Sequence, residues 1–102
     1  MYRARDEFAN EEWLAELDAA ADELSLDGTA RERAADLFLS TVPERERSKR
    51  AALAASLYAG ALIAGDRRSQ SAVAETVGVA RLTVQKRWRD VLEESGLDAP
   101  KW

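Results

Sequence analysis

Six cations, Arg67, Arg68, Arg81, Lys86, Arg87 and Arg89, fall within residues 67–89 of this chain, against a single acid, Glu75. Gln70, Leu82, Thr83 and Gln85 are interleaved with them. Guanidinium and ammonium groups neutralise phosphates, Gln and Arg read base edges, and an aliphatic side chain fits a thymine methyl. The chemistry on offer is therefore the binding of double-stranded DNA, not the making or breaking of bonds.

The spacing of the apolar residues gives these groups a frame. In SQSAVAETVGVARLTVQKRWRDVL, residues 69–92, Ala74 is small where two helices must cross, and Gly78 follows four residues later. A glycine tolerates the positive φ that a tight interhelical turn requires. Val73, Val77, Val79 and Val84 supply anchors around the crossing. That is helix-turn-helix spacing over 69–95, in which the second helix projects a polar face into the major groove. With Val84, Trp88, Val91 and Leu92 inward, the outward residues are Leu82, Thr83, Lys86, Arg87 and Arg89, flanked by Arg81 and Gln85. Short helix pairs about a Gly turn also serve as plain core corners, and the spacing alone leaves both readings open.

Other chemistry finds little support. There is no Cys and no His, which removes disulfides, Cys/His zinc sites and Cys–His or Ser–His catalysis. No Gly-rich phosphate loop occurs, and Glu11-Glu12 and Glu93-Glu94 read as solvated helix ends. The expectation is a protein that is not an enzyme and holds no metal or cofactor. The net charge of −4 hides a division: residues 1–44 hold 4 Arg and 12 Asp or Glu, whereas residues 45–102 hold 11 Lys or Arg and 7 acids. Such a split predicts a basic face on an acidic body. The charged stretch Tyr2 to Asn10 does not resemble a signal peptide, so the expected location is cytoplasmic.

At 102 residues the chain reads as one domain. Its centre is SKRAALAASLYAGALIA, Ser48 to Ala64, which carries no charge past its first turn. A helix apolar on every side belongs in the middle of a domain. At about 17 residues, with Ser, Tyr and Gly within it, it is short for a membrane span. Before it, Trp13, Leu14, Leu17, Ala20, Ala21 and Leu24 recur at helical spacing after Asn10, a candidate N-cap, and this helix ends near Ser25. Asp27-Gly28 reads as a turn, Thr29-x-x-Glu32 as a capping box, and a second helix runs from Ala30 to Ser40, with Ala34, Leu37 and Phe38 inward, until Pro43 stops it. Glu44 to Arg47 reads as a charged link. Beyond the centre, Gly65 is the expected C-cap, Ser69 caps a fourth helix over Gln70 to Val77, and a fifth runs from Arg81 to Ser95 before Gly96-Leu97. No strand signal occurs. The expected fold is all-α, five helices around a central third, spanning 10–97, with residues 1–9 frayed apart from a stapling Phe8 and residues 98–102 a tail.

The last two helices resemble those of the second cyclin-like repeat of archaeal transcription factor B, the TFIIB-type initiation factor. The matching residues are Ser69-Gln70, Val73-Ala74-Glu75, Gly78-Val79, Leu82-Thr83-Val84 and Arg87-Trp88, and Ala54-Ala55-Ser56-Leu57-Tyr58-Ala59 matches the family's Ala-rich central stretch. The resemblance is strongest over 48–92 and implies a five-helix cyclin-box fold. It also implies recognition of a promoter element beside the TATA box. It places an aliphatic recognition residue at Leu82 and the family's base-reading Arg at Gln85, where this chain departs from it. Trp88 stands for the usual Tyr and Lys86 for the usual Asn. Gln favours adenine edges where Arg favours guanine, so the family's base preference does not transfer. The family's factors carry a zinc ribbon and two repeats, whereas these 102 residues hold one repeat and no Cys. The expectation is a single-repeat relative that regulates transcription through DNA, with TATA-binding protein or RNA polymerase as candidate protein partners and a homodimer as a way to mimic two repeats. The alternative is a cyclin-box protein–protein interaction module with no DNA binding of its own, using Trp13, Leu82 and Trp102 as contacts.

Overall fold

The computed structural model describes residues 10–97 as five helices. They are α1 (Glu11–Glu23), α2 (Gly28–Thr41), α3 (Glu46–Ile63), α4 (Gln70–Val77) and α5 (Arg81–Glu94). No strand occurs among the described residues. The expectations for the 1–9 segment, Phe8, the 98–102 tail and Trp102 lie outside them.

The third helix is the axis. Ala52 through Ala61 are ten consecutive buried residues, so α3 is enclosed on all sides over nearly three turns. Its most extensive partners are α2 and α5, with α1 and α4 completing the jacket. The α2 contact leaves no room for a side chain at its centre. A Cβ built at Gly60 would lie 2.6 Å from the Ala34 backbone nitrogen and 2.7 Å from its Cα. Gly60 is thus required by a close approach of two backbones. On the other side of α3, Tyr58 meets Trp88 of α5 edge-on, with ring centroids 5.4 Å apart and planes at 67°. Leu37, Phe38, Leu53, Leu57, Val84, Val91 and Leu92 fill the space between.

Several helix ends differ from the sequence expectation. Asn10 precedes α1 and is buried, but its side chain makes no capping bond. The helix stops at Glu23, and Ser25 adopts φ 55°, the left-handed conformation of a C-terminal cap. The Leu26 amide then reaches back to the Ala21 carbonyl at 3.0 Å, and Leu26 is buried. Asp27, not Thr29, caps α2, since its carboxylate accepts from the Ala30 amide at 2.8 Å. A carboxylate one residue before the helix satisfies the orphan amide directly, which places Gly28 and Thr29 in the first turn and leaves no capping box. Leu39 joins the buried face of α2 beyond the expected Leu37 and Phe38. Glu46 and Arg47 belong to α3, which is two residues longer at its start than expected. Glu46 accepts from the Trp13 indole at 3.1 Å, and Lys49 pairs with it at 3.1 Å. These two donors, Lys49 first, hold its carboxyl below the usual glutamate range. Trp13 is half-buried beneath Arg50, whose guanidinium carbon lies 5.3 Å from its ring centre.

Two substitutions test this packing. Gly60→Ala gains helix propensity worth about 1 kcal/mol, but forces α2 and α3 apart. We expect a net loss of about 1–3 kcal/mol, read as a fall of several degrees in the thermal midpoint. Ser25→Gly relieves a left-handed non-glycine residue and should raise stability by about 0.5–1 kcal/mol in chemical denaturation.

Candidate nucleic-acid interface

Ser69 starts this region, its hydroxyl accepting from the Ala72 amide at 3.0 Å and fixing the first turn of α4. The helix ends at Gly78 in the left-handed conformation, φ 88°. Its amide bonds the Ala74 carbonyl at 2.8 Å, and Val79 bonds the same carbonyl at 3.0 Å. Ala74 is buried at the crossing, and Val73, Val77, Val84, Trp88, Val91 and Leu92 are buried around it. The helix-turn-helix therefore forms with both helices seated on α3.

The face this frame presents is basic at one end. Arg81, Leu82, Gln85, Lys86 and Arg89 are exposed, and Thr83 and Arg87 are half-buried at its margin. Leu82 is 49% exposed, a large apolar side chain among polar neighbours. No described carboxylate lies within ion-pair distance of Arg81, Lys86, Arg87 or Arg89. From Asp90 onward α5 reverses sign, with Asp90, Glu93 and Glu94 exposed. Carboxylates at a helix C-terminus oppose the helix dipole, and α5 has no basic residue in its last turn. Helix stability therefore does not account for the gradient.

Two networks organise the flank. Arg81 Nη1 donates to Gln85 Oε1 at 2.9 Å and to Gln70 Oε1 at 3.2 Å, tying the first residue of α4 to α5. Arg89 lies over the Trp88 ring, 5.1 Å from its centre. Between them opens a cleft of about 380 Å³, lined by Tyr58, Arg67, Gln70, Gln85, Trp88 and Arg89 and by no carboxylate.

Arg68 departs from the expected set. It turns inward, donating Nε to the Leu24 carbonyl at 2.8 Å and Nη2 to the Ser25 carbonyl at 3.0 Å, while Nη1 pairs with the Asp66 carboxylate at 2.8 Å. The carbonyls at the end of α1 need donors, and a fork-shaped cation satisfies both. The Asp66 carboxylate also accepts from the Asp27 amide at 3.0 Å. Asp66 and Arg68 thus join the α1–α2 turn to the α3–α4 turn. Sequence reading misses this role; the only available signal is a carboxylate two residues before an arginine. No group of three or more potential metal-ligating side chains occurs among the described residues, and no described helix is long and apolar enough to cross a membrane.

The Transcription factor TFIIB repeat family model matches residues 13–94, which includes all of the described interface from Ser69 to Glu94. This chain belongs to the TFIIB repeat family. It is 32% identical over 83 residues to the Transcription initiation factor IIB of Pyrococcus abyssi, covering 78% of this chain and 28% of that protein. It is 34% identical over 83 residues to Transcription initiation factor IIB 1 of Thermococcus kodakarensis, with the same coverage. With the Archaeoglobus fulgidus factor it shares 32% over 79 residues, 74% of this chain and 24% of the relative. The chain thus spans about a quarter of the length of these archaeal relatives. Its five helices around a buried third are those of a cyclin-box-like TFIIB repeat.

The Asp66 link gives a pH outcome. The Asp27 amide first, then Arg68, holds the Asp66 carboxyl below its ordinary 3.8. A carboxyl with a depressed folded-state pKa adds stability above its unfolded value and loses it as pH falls through the folded one. Asp66→Asn should therefore lower the thermal midpoint at pH 7, and the gap from the unsubstituted protein should narrow below about pH 4.

Proposed function

We propose that this TFIIB repeat is a sequence-specific, double-stranded DNA-binding regulator of transcription that lays the first half of α5 in the major groove. The observation that carries the reading is the run of cations from the start of α5 to Arg89, namely Arg81, Lys86, Arg87 and Arg89, with no described carboxylate within ion-pair distance of them. Where a structural arginine is needed elsewhere, the fold supplies an acid: Asp18 and Asp22 for Arg31, Glu16 for Arg50, Asp66 for Arg68. Phosphates are the natural counter-charge for the α5 set. Arg67 and Gln70 flank the cleft where a strand backbone passes, Lys86, Arg87 and Arg89 take phosphates, and Leu82 and Thr83 meet base edges and a thymine methyl. The acidic end of α5, from Asp90 on, stays out of the groove. The role involves no catalysis.

As a fragment-sized relative of initiation factors, the chain acts beside that machinery in this reading, with TATA-binding protein or RNA polymerase as its protein neighbours. A homodimer would present two recognition helices to two half-sites. Leu82 supports the second reading, a protein–protein interaction module, because a half-exposed leucine on a polar face also suits a protein pocket.

The test is a fluorescence-anisotropy titration on the protein's own promoter and on a scrambled duplex of equal length, at two or more salt concentrations. Preference for the promoter, weakening with salt, is expected. Lys86→Ala should weaken binding to all duplexes alike and reduce the slope of log affinity against log salt by about 1. No binding in low salt, together with capture of a transcription protein that Leu82→Ala abolishes, would establish the second reading.

A further inference from the structure

The contacts of Arg81 say more than that a cation is present, and their interpretation rests on the DNA-binding function proposed for this face. A guanidinium has five N–H donors and no acceptor. Any side-chain amide that faces it must therefore turn its oxygen inward, and both Gln70 and Gln85 do so, onto the same nitrogen, Nη1. Two acceptors match the two hydrogens of that nitrogen. The Nε and Nη2 edge of Arg81 is left with its parallel donors, and no described hydrogen bond engages it. Parallel donors of this kind fit the paired O6 and N7 acceptors that guanine shows in the major groove, and adenine, with a donor at N6, does not match them. The Gln85 amide, its oxygen held by Arg81, turns its donor nitrogen away from the guanidinium. Left to itself a glutamine reads adenine through both its oxygen and its nitrogen; here that oxygen is already engaged.

We propose that Arg81 is the guanine-reading residue of this interface, and that Gln70 and Gln85 are positioning residues that brace it. Arg81 opens α5, where the residues of a recognition helix reach base edges. Gln70 opens α4, so the brace spans both helices of the motif. The adenine preference that a glutamine at position 85 suggests by residue type is thereby replaced by a guanine preference one helical turn earlier.

The experiment is selection of bound duplexes from a randomised pool by the full chain, followed by titration of single-base variants of the selected duplex. Unsubstituted protein, Arg81→Lys, Arg81→Met and Gln85→Met are compared, and circular dichroism checks that each folds. Arg81 and Gln85 are exposed, so folding is expected to hold. One position should prefer guanine over adenine by roughly 5- to 150-fold, the range for one bidentate pair. Arg81→Lys, which loses the rigid two-donor edge, should keep the salt dependence and lower that preference several-fold. Arg81→Met should in addition move the position toward adenine as Gln85 is released. Gln85→Met should lower the guanine preference without changing the salt slope. Salt-dependent binding in which no position loses its guanine preference in Arg81→Met overturns the assignment and leaves the DNA-binding reading standing. Failure to bind any duplex in low salt overturns both.

Discussion

The backbones of α2 and α3 pass so close that position 60 has room for a hydrogen atom and nothing larger. That contact sets the rotation and height of α3 against its nearest neighbour. Tyr58 lies two residues earlier on the same helix, about 200° around its axis at 100° per residue. Seating Gly60 on Ala34 therefore turns Tyr58 to the opposite side, where it meets Trp88. The helix α5 is thus positioned by a contact made on the far side of the domain. A central helix of alanines makes this possible, because small side chains let neighbours pack on every side at once.

Charge then divides the labour. The acidic first half of the chain is not one uniform repulsive surface: Asp18, Asp22 and Glu16, like Asp66 in the second half, each hold an arginine that bridges two segments. Exposed ion pairs contribute little each, so their role is to fix where turns and helix ends sit. Arg50 illustrates it, joining Glu16 of α1 to the Val77 carbonyl that ends α4. Arg68 does the same between the two interhelical turns. The α5 cations have no such described acidic partners, and that difference sets the proposed binding surface apart from the scaffold.

The fold is largely legible in the sequence because its signals are local. The apolar run of α3, the Ser69 cap, the Gly78 elbow and the Gly96 cap, with Leu97 bonding back to Leu92 at 2.9 Å, each depend on residues near in sequence. The α2 start is ambiguous because Asp27 and Thr29 both suit an N-cap, and only the backbone path decides between them. Gly60 is hidden for a different reason. In an Ala-rich helix one more small residue carries no signal until the partner helix is known. Arg68 groups with the other cations because sequence shows charge and not direction; its carbonyl partners Leu24 and Ser25 lie 44 and 43 residues away. The Gln70–Arg81–Gln85 brace likewise depends on the crossing angle of two helices.

The reversal of sign along α5 has a consequence for orientation. A recognition helix basic from end to end could enter a groove pointing either way along the duplex, with similar attraction to phosphates. Here Arg81 and Lys86 lead, while Asp90, Glu93 and Glu94 follow on exposed positions. Turning the helix end for end would bring three carboxylates against the strand and carry the cations out of reach. In the DNA-binding reading proposed above, the charge order along a single helix of 14 residues gives the repeat a heading on the duplex, upstream distinguished from downstream.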